Sequence, residues 1–143
     1  MKLKTPLAAV FASQFAQSHL KRWMVVDESP EVLDSVAMLL ERLGRAEVYK
    51  FRSGEEALNC FALFPSEFEL VITDLELPGL NGVELCQRMR NITPSSKIIL
   101  STGGAITPRQ FAIYSGFNGV LQKPYSIADL WQVVKSVLPE EDS

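Results

Sequence analysis

Residues 71–82 read VITDLELPGLNG, an apolar run that ends on an acid, Asp74, and breaks at once into Pro78, Gly79, Asn81 and Gly82. Leu70, Val71 and Ile72 suit a strand covered on both faces, where a charge is costly unless something pairs with it. The Asp74 carboxylate therefore belongs where the strand leaves the core, at its carboxyl end. Pro78 and Gly79 are turn formers, Gly79 and Gly82 permit the turn and the close start of a helix, and Asn81 is a natural cap for that helix. The stretch thus reads as strand, presented acid, turn and helix.

Working outward, the same alternation of strand-length apolar runs and helical patterns occurs five times from Arg22 onward. That is the mark of βαβ units and a parallel sheet. WMVV (23–26) predicts the first strand; Ser29-Pro30 starts a helix whose face is traced by Val32, Leu33, Val36, Leu40 and Leu43, and Gly44 is expected to close it. EVYKF (47–51) is more polar, as an edge strand allows. Ser53 then caps a helix through Ala57, Leu58 and Phe61, with Glu56 placed to complete a capping box.

FELVITD (68–74) is the third strand and leads to a helix using Val83, Cys86 and Met89; KIILST (97–102) is the fourth. A short helix with poor spacing is expected over 107–114. GVLQ (119–122) is the fifth strand, followed by Lys123-Pro124 and a helix with Ile127, Leu130, Val134 and Val137 on one face. The tail PEEDS, including 139–143, is expected to fray.

The 143 residues suffice for one domain, with 47% hydrophobic and 22% charged residues. The net charge is −3, and residues 1–22 hold four basic residues and no acid, leaving −7 for the remainder. That distribution argues against nucleic acid as a partner of the main body. Cys60 and Cys86 each fall in an apolar helical pattern and are read as buried thiols in a reducing compartment, the cytoplasm.

Residues 1–21 begin with lysines and a short apolar stretch. Gln14 and Gln17 interrupt it, and a span would need about 20 consecutive apolar residues, so no membrane insertion is expected. Leu7, Phe11 and Phe15 recur at helical spacing and suggest a helical extension; a signal peptide, or translation starting near Met24, are the other readings.

In an open parallel sheet, function gathers beyond the carboxyl ends of the strands. Here the first strand ends in Asp27-Glu28, the third in Asp74, the fourth in Ser101-Thr102 and the fifth in Lys123-Pro124. Three carboxylates converging there would repel unless a cation joined them, and Mg2+, a hard ion often held by one or two carboxylates with a phosphate oxygen, suits the set. Lys123 would add a compact positive charge and Thr102 a hydroxyl donor to the oxygens of a transferred phosphoryl group, with Asp74 as nucleophile. Taken singly, Asp27-Glu28 is also a helix-start acid cluster, Asp74 a turn former and Lys123 a solvated lysine. Taken together, those readings require four coincidences at one sheet edge.

With these residues in view, the chain over roughly 22–138 resembles the response-regulator receiver domains of bacterial two-component signalling, the CheY-like superfamily. The likeness rests on VVDESP, SGEEAL, VITDLELPGLNGVEL, IILSTG and VLQKPY, five motifs in order. It implies an α/β fold, a doubly wound five-stranded parallel sheet of order 2-1-3-4-5 in a flavodoxin-like (βα)5 three-layer sandwich. It also implies that Asp74 accepts phosphoryl from a histidine kinase or phosphotransfer protein, and that Mg2+ is held by Asp27, Glu28, Asp74 and the backbone carbonyl of Glu76. Thr102 matches the switch hydroxyl and Lys123 the phosphoryl charge partner, Gly103 leaves room beside the hydroxyl, and Pro124 is expected to be cis.

The resemblance places binding of an unidentified downstream protein, or of a second copy, on the face of helix four, strand five and helix five. FAIYSGFNGV, with Phe111, Tyr114 and Phe117, falls in that region. The output is expected to be binding rather than direct contact with nucleic acid or membrane. Two departures stand out: Val120 occupies a position where many receivers carry an aromatic reporter, and Glu76 puts an acid two residues beyond the acceptor, where it is expected to alter phosphoryl lifetime.

A receiver that toggles on phosphorylation competes with a pseudo-receiver that is a constitutive scaffold, a reading Val120 favours. A flavodoxin-like cofactor binder fits poorly, because DESPEV after the first strand is acidic and lacks phosphate-cradling glycines. A phosphatase would need Glu76, just before a Pro-Gly turn, as its general acid.

Overall fold

The computed structural model describes residues 21–103, 110 and 116–139. Its elements run β1 (Lys21–Val26), α1 (Pro30–Gly44), β2 (Ala46–Phe51), α2 (Gly54–Leu63), β3 (Leu70–Asp74), α3 (Gly82–Ile92), β4 (Ile98–Gly103), β5 (Gly119–Lys123) and α4 (Ile127–Val137). The five strands form one parallel sheet in the order β2-β1-β3-β4-β5, as expected. The predicted helix over 107–114 and its Phe111 and Tyr114 lie outside the described residues, apart from Gln110, as does the extension up to residue 20.

Because side chains alternate across a strand, each central strand feeds two cores. Met24, Val26, Val71 and Ile98 point to one face, where they meet Ala57 and Phe61 of α2 and Leu85 and Met89 of α3. Trp23, Val25, Leu70, Ile72 and Ile99 point to the other, against Leu33, Val36 and Leu40 of α1 and Leu130 and Val134 of α4. Full burial of each such Leu or Ile contributes about 1.5–3 kcal/mol, so the double covering accounts for the continuous apolar runs that marked these strands. β2, at the edge, keeps only Ala46 fully buried.

The caps follow the sequence in the main. Ser29 accepts from Val32 N–H with Pro30 opening α1, and reciprocal boxes close at Asn81/Glu84 and Ser126/Asp129. At α2 only half the expected box forms: Ser53 Oγ accepts from Glu56 N–H.

Three details correct the sequence reading. Gly44 is the last helical residue and not the left-handed cap; Arg45 takes that conformation, at φ 52°. Leu43 is 39% exposed, because the 3.6-residue repeat carries position 44, not 43, over the sheet. Ile127 is 56% exposed: it is the first residue of α4, and the buried stripe begins a turn later at Leu130.

Gly44 has its own reason to be small. A Cβ there would lie 2.2 Å from the ring of Trp23, a side chain that is only 1% exposed and whose Nε1–H donates to Glu69 Oε1 at 2.9 Å. Gly→Ala within a helix ordinarily gains up to about 1 kcal/mol, but here overpacking outweighs it. Gly44→Ala is expected to lower stability by about 1–3 kcal/mol in chemical denaturation, while Gly116→Ala, where a Cβ meets nothing within 4 Å, should stay within about 0.5 kcal/mol of the parent.

Candidate functional site

The carboxyl ends of β1, β3, β4 and β5 open on one crevice. Asp27 directly follows β1, and its N–H donates to Phe51 O at 3.0 Å, which carries the β1–β2 ladder one residue past the strand. Its Oδ1 accepts from Ser29 N–H at 2.9 Å and so ties the strand end to the cap of α1. Asp74 is the last residue of β3. Beyond it Leu75 N–H donates to Ser101 O and Gly82 N–H to Leu75 O, each at 2.9 Å, which fixes both ends of the turn. Since Val26 pairs with Thr73, the next residues along, Asp27 and Asp74, emerge side by side.

Lys123 ends β5, two strands from β3, and its extended side chain reaches back across the sheet. Nζ lies 3.2 Å from Asp27 Oδ2 and 3.4 Å from Asp74 Oδ2. One ammonium thus bridges two carboxylates whose side chains are 8% and 14% exposed, leaving the trio with one negative charge in excess. The peptide bond joining Lys123 to Pro124 is cis.

Burial pushes the Asp74 carboxyl up from its ordinary value, the Lys123 charge opposing and the Asp27 charge adding to the rise. Burial acts to lower Lys123, but Asp74 and Asp27 together outweigh it, so its net shift is upward. The lysine therefore stays charged and keeps two acids tolerable in a half-desolvated place, while Asp74 remains a poorly solvated base.

Thr102 and Gly103 complete the rim from β4. Thr102 is 5% exposed, and among the described residues its hydroxyl makes a long 3.4 Å contact to Gly103 O. In register, Ser101 lies opposite Asp74 and Gly103 opposite Lys123. A Cβ on Gly103 would meet nothing within 4 Å, so the space at that position is open.

Glu28 and Glu76 are exposed residues on the loops after β1 and β3. The Glu28 carbonyl accepts from Arg52 Nε at 3.0 Å. Among the described residues no three acidic, His or Cys side chains group closely enough to hold a metal. Two carboxylates meet here where three were expected to converge. That donor set still fits Mg2+, which takes hard oxygens, commonly one or two carboxylates, and keeps several waters.

The sequence did not single out Tyr125. Burial raises its hydroxyl pKa, eased by Ser101 and by the Lys123 charge, so the phenol lies within the field of the site. The available signal was an aromatic two residues beyond a strand-end lysine. Tyr125 also lines a groove of about 470 Å³ with Val32, Val36, Leu39, Lys123 and Pro124, an apolar surface that starts at the crevice and runs along α1.

The raised Asp74 value carries a consequence for stability. A carboxyl whose folded pKa exceeds the unfolded one contributes stability that is full below the unfolded value, ordinarily 3.8, and is lost as pH rises through the folded value. Asn escapes that loss, and Lys123 keeps Asp27 as partner. Asp74→Asn is therefore expected to unfold at higher denaturant than the parent at pH 7, with the margin closing as the pH falls toward 3.8. A less stable variant at pH 7 would contradict the assignment of burial as the dominant cause.

Comparison with known proteins converges on one family. The profile described as response regulator receiver domain matches residues 23–135. The heme response regulator HssR of Staphylococcus aureus is 27% identical over 115 residues, 80% of this chain and 50% of that protein, so the chain spans about half the length of such curated relatives. A receiver domain protein from Clostridium thermocellum superposes with a TM-score of 0.73 at 28% identity, covering 82% of this chain and 94% of that one. Response regulator TrrA from Thermotoga maritima, solved in complex with Mg2+-BeF, gives a TM-score of 0.71 at 30% identity, covering 83% of this chain and all of the other. No helix among the described residues is long and apolar enough to cross a membrane. Strand order, crevice and family match together show that the chain belongs to the response regulator receiver domain family of two-component systems.

Proposed function

We propose that Asp74 is the phosphoacceptor of a two-component phosphorelay, taking phosphoryl from a histidine kinase or a phosphotransfer protein. The observation that carries this reading is the bridge of Lys123 Nζ to both Asp27 and Asp74 across the strand ends. An Oδ of Asp74 attacks phosphorus, the P–N bond to the donor's imidazole breaks, and the electron pair returns to that nitrogen. A half-buried carboxylate with little hydration to shed suits this attack. Lys123 moves from pairing two acids to pairing the arriving phosphoryl oxygens, and the Thr102 hydroxyl donates to another.

Asp27 and Asp74 would hold Mg2+, with Glu28 and the backbone carbonyl of Glu76 as the further donors this reading assigns. The ion supplies charge neutralisation to the phosphoryl oxygens. TrrA, a relative solved with Mg2+-BeF, supports Mg2+ as the ion.

The donor must bring a phosphohistidine to Asp74, so it has to cover the ground beside the crevice. The apolar groove of α1 and Pro124-Tyr125 is suited to receive it. A donor of this kind, and the reduced, buried Cys60 and Cys86, fit a cytoplasmic protein. Phosphorylation adds negative charge beside Lys123, draws Thr102 inward and repacks the surface of β5 and α4, to which a downstream protein or a second copy binds. With Val120 in place of an aromatic, that repacking has no large side chain at the usual reporter position.

Incubation with a small-molecule phosphoryl donor and Mg2+ is expected to add one phosphoryl mass to the parent, and none to Asp74→Asn or to the parent without Mg2+. An unmodified parent would favour the constitutive scaffold instead. In the same assay, Glu76→Ala is expected to lose its phosphoryl group at a rate different from the parent; equal rates would remove Glu76 from the chemistry.

A further inference from the structure

We infer that Glu55 is a positioning residue for the acceptor site, fastening from α2 the loop that carries the Glu76 carbonyl. The inference rests on the Mg2+-dependent acceptor reading. The loop between Asp74 and α3 is held at its start by Leu75 N–H to Ser101 O. Toward its far end, Leu80 N–H donates to Glu55 Oε2 at 3.1 Å.

The fit around that carboxylate is close. Gly79 has φ +72°, and a Cβ there would lie 2.5 Å from Glu55 Oε2, so the acid packs on the bare glycine backbone. One residue earlier in α2, a Cβ on Gly54 would lie 2.6 Å from Leu80 O. The first turn of α2 therefore grips Gly79 and Leu80 through consecutive positions, and Leu77 and Leu80 are anchored below in the core. Glu55 sits in the first turn of a helix, where a carboxylate is favoured by the macrodipole. Glu56, its neighbour, instead gives its backbone N–H to Ser53 Oγ.

Release of the Leu80 bond would leave the loop without its fastening to α2, and the added freedom, passed back through Leu77 and Pro78, would be lost again when the Glu76 carbonyl engages a cation. The cost falls on metal affinity and needs no change in Asp27 or Asp74. It depends on reach and acceptor geometry rather than on charge: Gln keeps a side-chain oxygen at the same distance, whereas Asp keeps the charge but is one methylene too short.

Mg2+ titrations followed by amide chemical shifts of the full chain test this, with melting temperatures measured alongside. Glu55→Ala and Glu55→Asp should each bind Mg2+ about 2- to 10-fold more weakly, the loss expected for one hydrogen bond. Glu55→Gln should stay within about 2-fold of the parent, and Glu56→Ala should match it. Parent-like affinity in Glu55→Ala and Glu55→Asp, or a Gln variant as weak as the Ala variant, would overturn the positioning role. A parent that binds no Mg2+ would instead overturn the acceptor reading, and the inference with it.

Discussion

The site depends on one ammonium group. Lys123 Nζ stands between the carboxylates of Asp27 and Asp74, at 3.2 and 3.4 Å, having crossed the ends of two strands to get there. Without it, two acids from adjacent strands would share a poorly hydrated rim, and like charges so placed raise each other's pKa and loosen the fold. With it, the trio is stable enough to exist and still one positive charge short. That deficit is what the proposed divalent ion would offset, and the lysine is the group that would meet the proposed phosphoryl oxygens.

The fold makes this possible by a division of labour along each strand. The lower part of β1, β3 and β4 is clamped between two apolar cores, with Met24, Leu70, Ile98, Ile99 and Leu100 wholly buried. The residues just beyond that clamp inherit a rigid backbone but are free of the demand to be apolar. Asp74 is the plainest case: its backbone belongs to β3, its side chain is half-desolvated, and its raised pKa marks a group placed at a cost to stability. Such a cost fits the acceptor role proposed for it.

Much of this was legible in the sequence, for definable reasons. Strands buried on both faces write themselves as continuous apolar runs, so VITD and IILST gave both their location and the acid or hydroxyl that ends them. Sheet order followed from family resemblance rather than periodicity, and the observed pairing agrees with it. What the sequence concealed were relations between distant positions. Gly44 read as a helix stop because nothing local reveals the Trp23 ring lying against it. Glu55 drew no reading of its own, because its partner, the Leu80 amide, lies 25 residues away. Glu28 read as a member of a three-acid cluster, yet two acids and a lysine are what converge.

The most direct test is to locate the phosphoryl group chemically. After incubation with a small-molecule donor and Mg2+, borohydride reduces an aspartyl phosphate to the corresponding alcohol, converting the acceptor to homoserine and fixing its position for peptide mapping. The account predicts homoserine at position 74 and at no other acid, including Asp27, Glu28 and Glu76. Reduction at one of those neighbours, or an unmodified residue 74 in a protein that has gained phosphoryl mass, would contradict it.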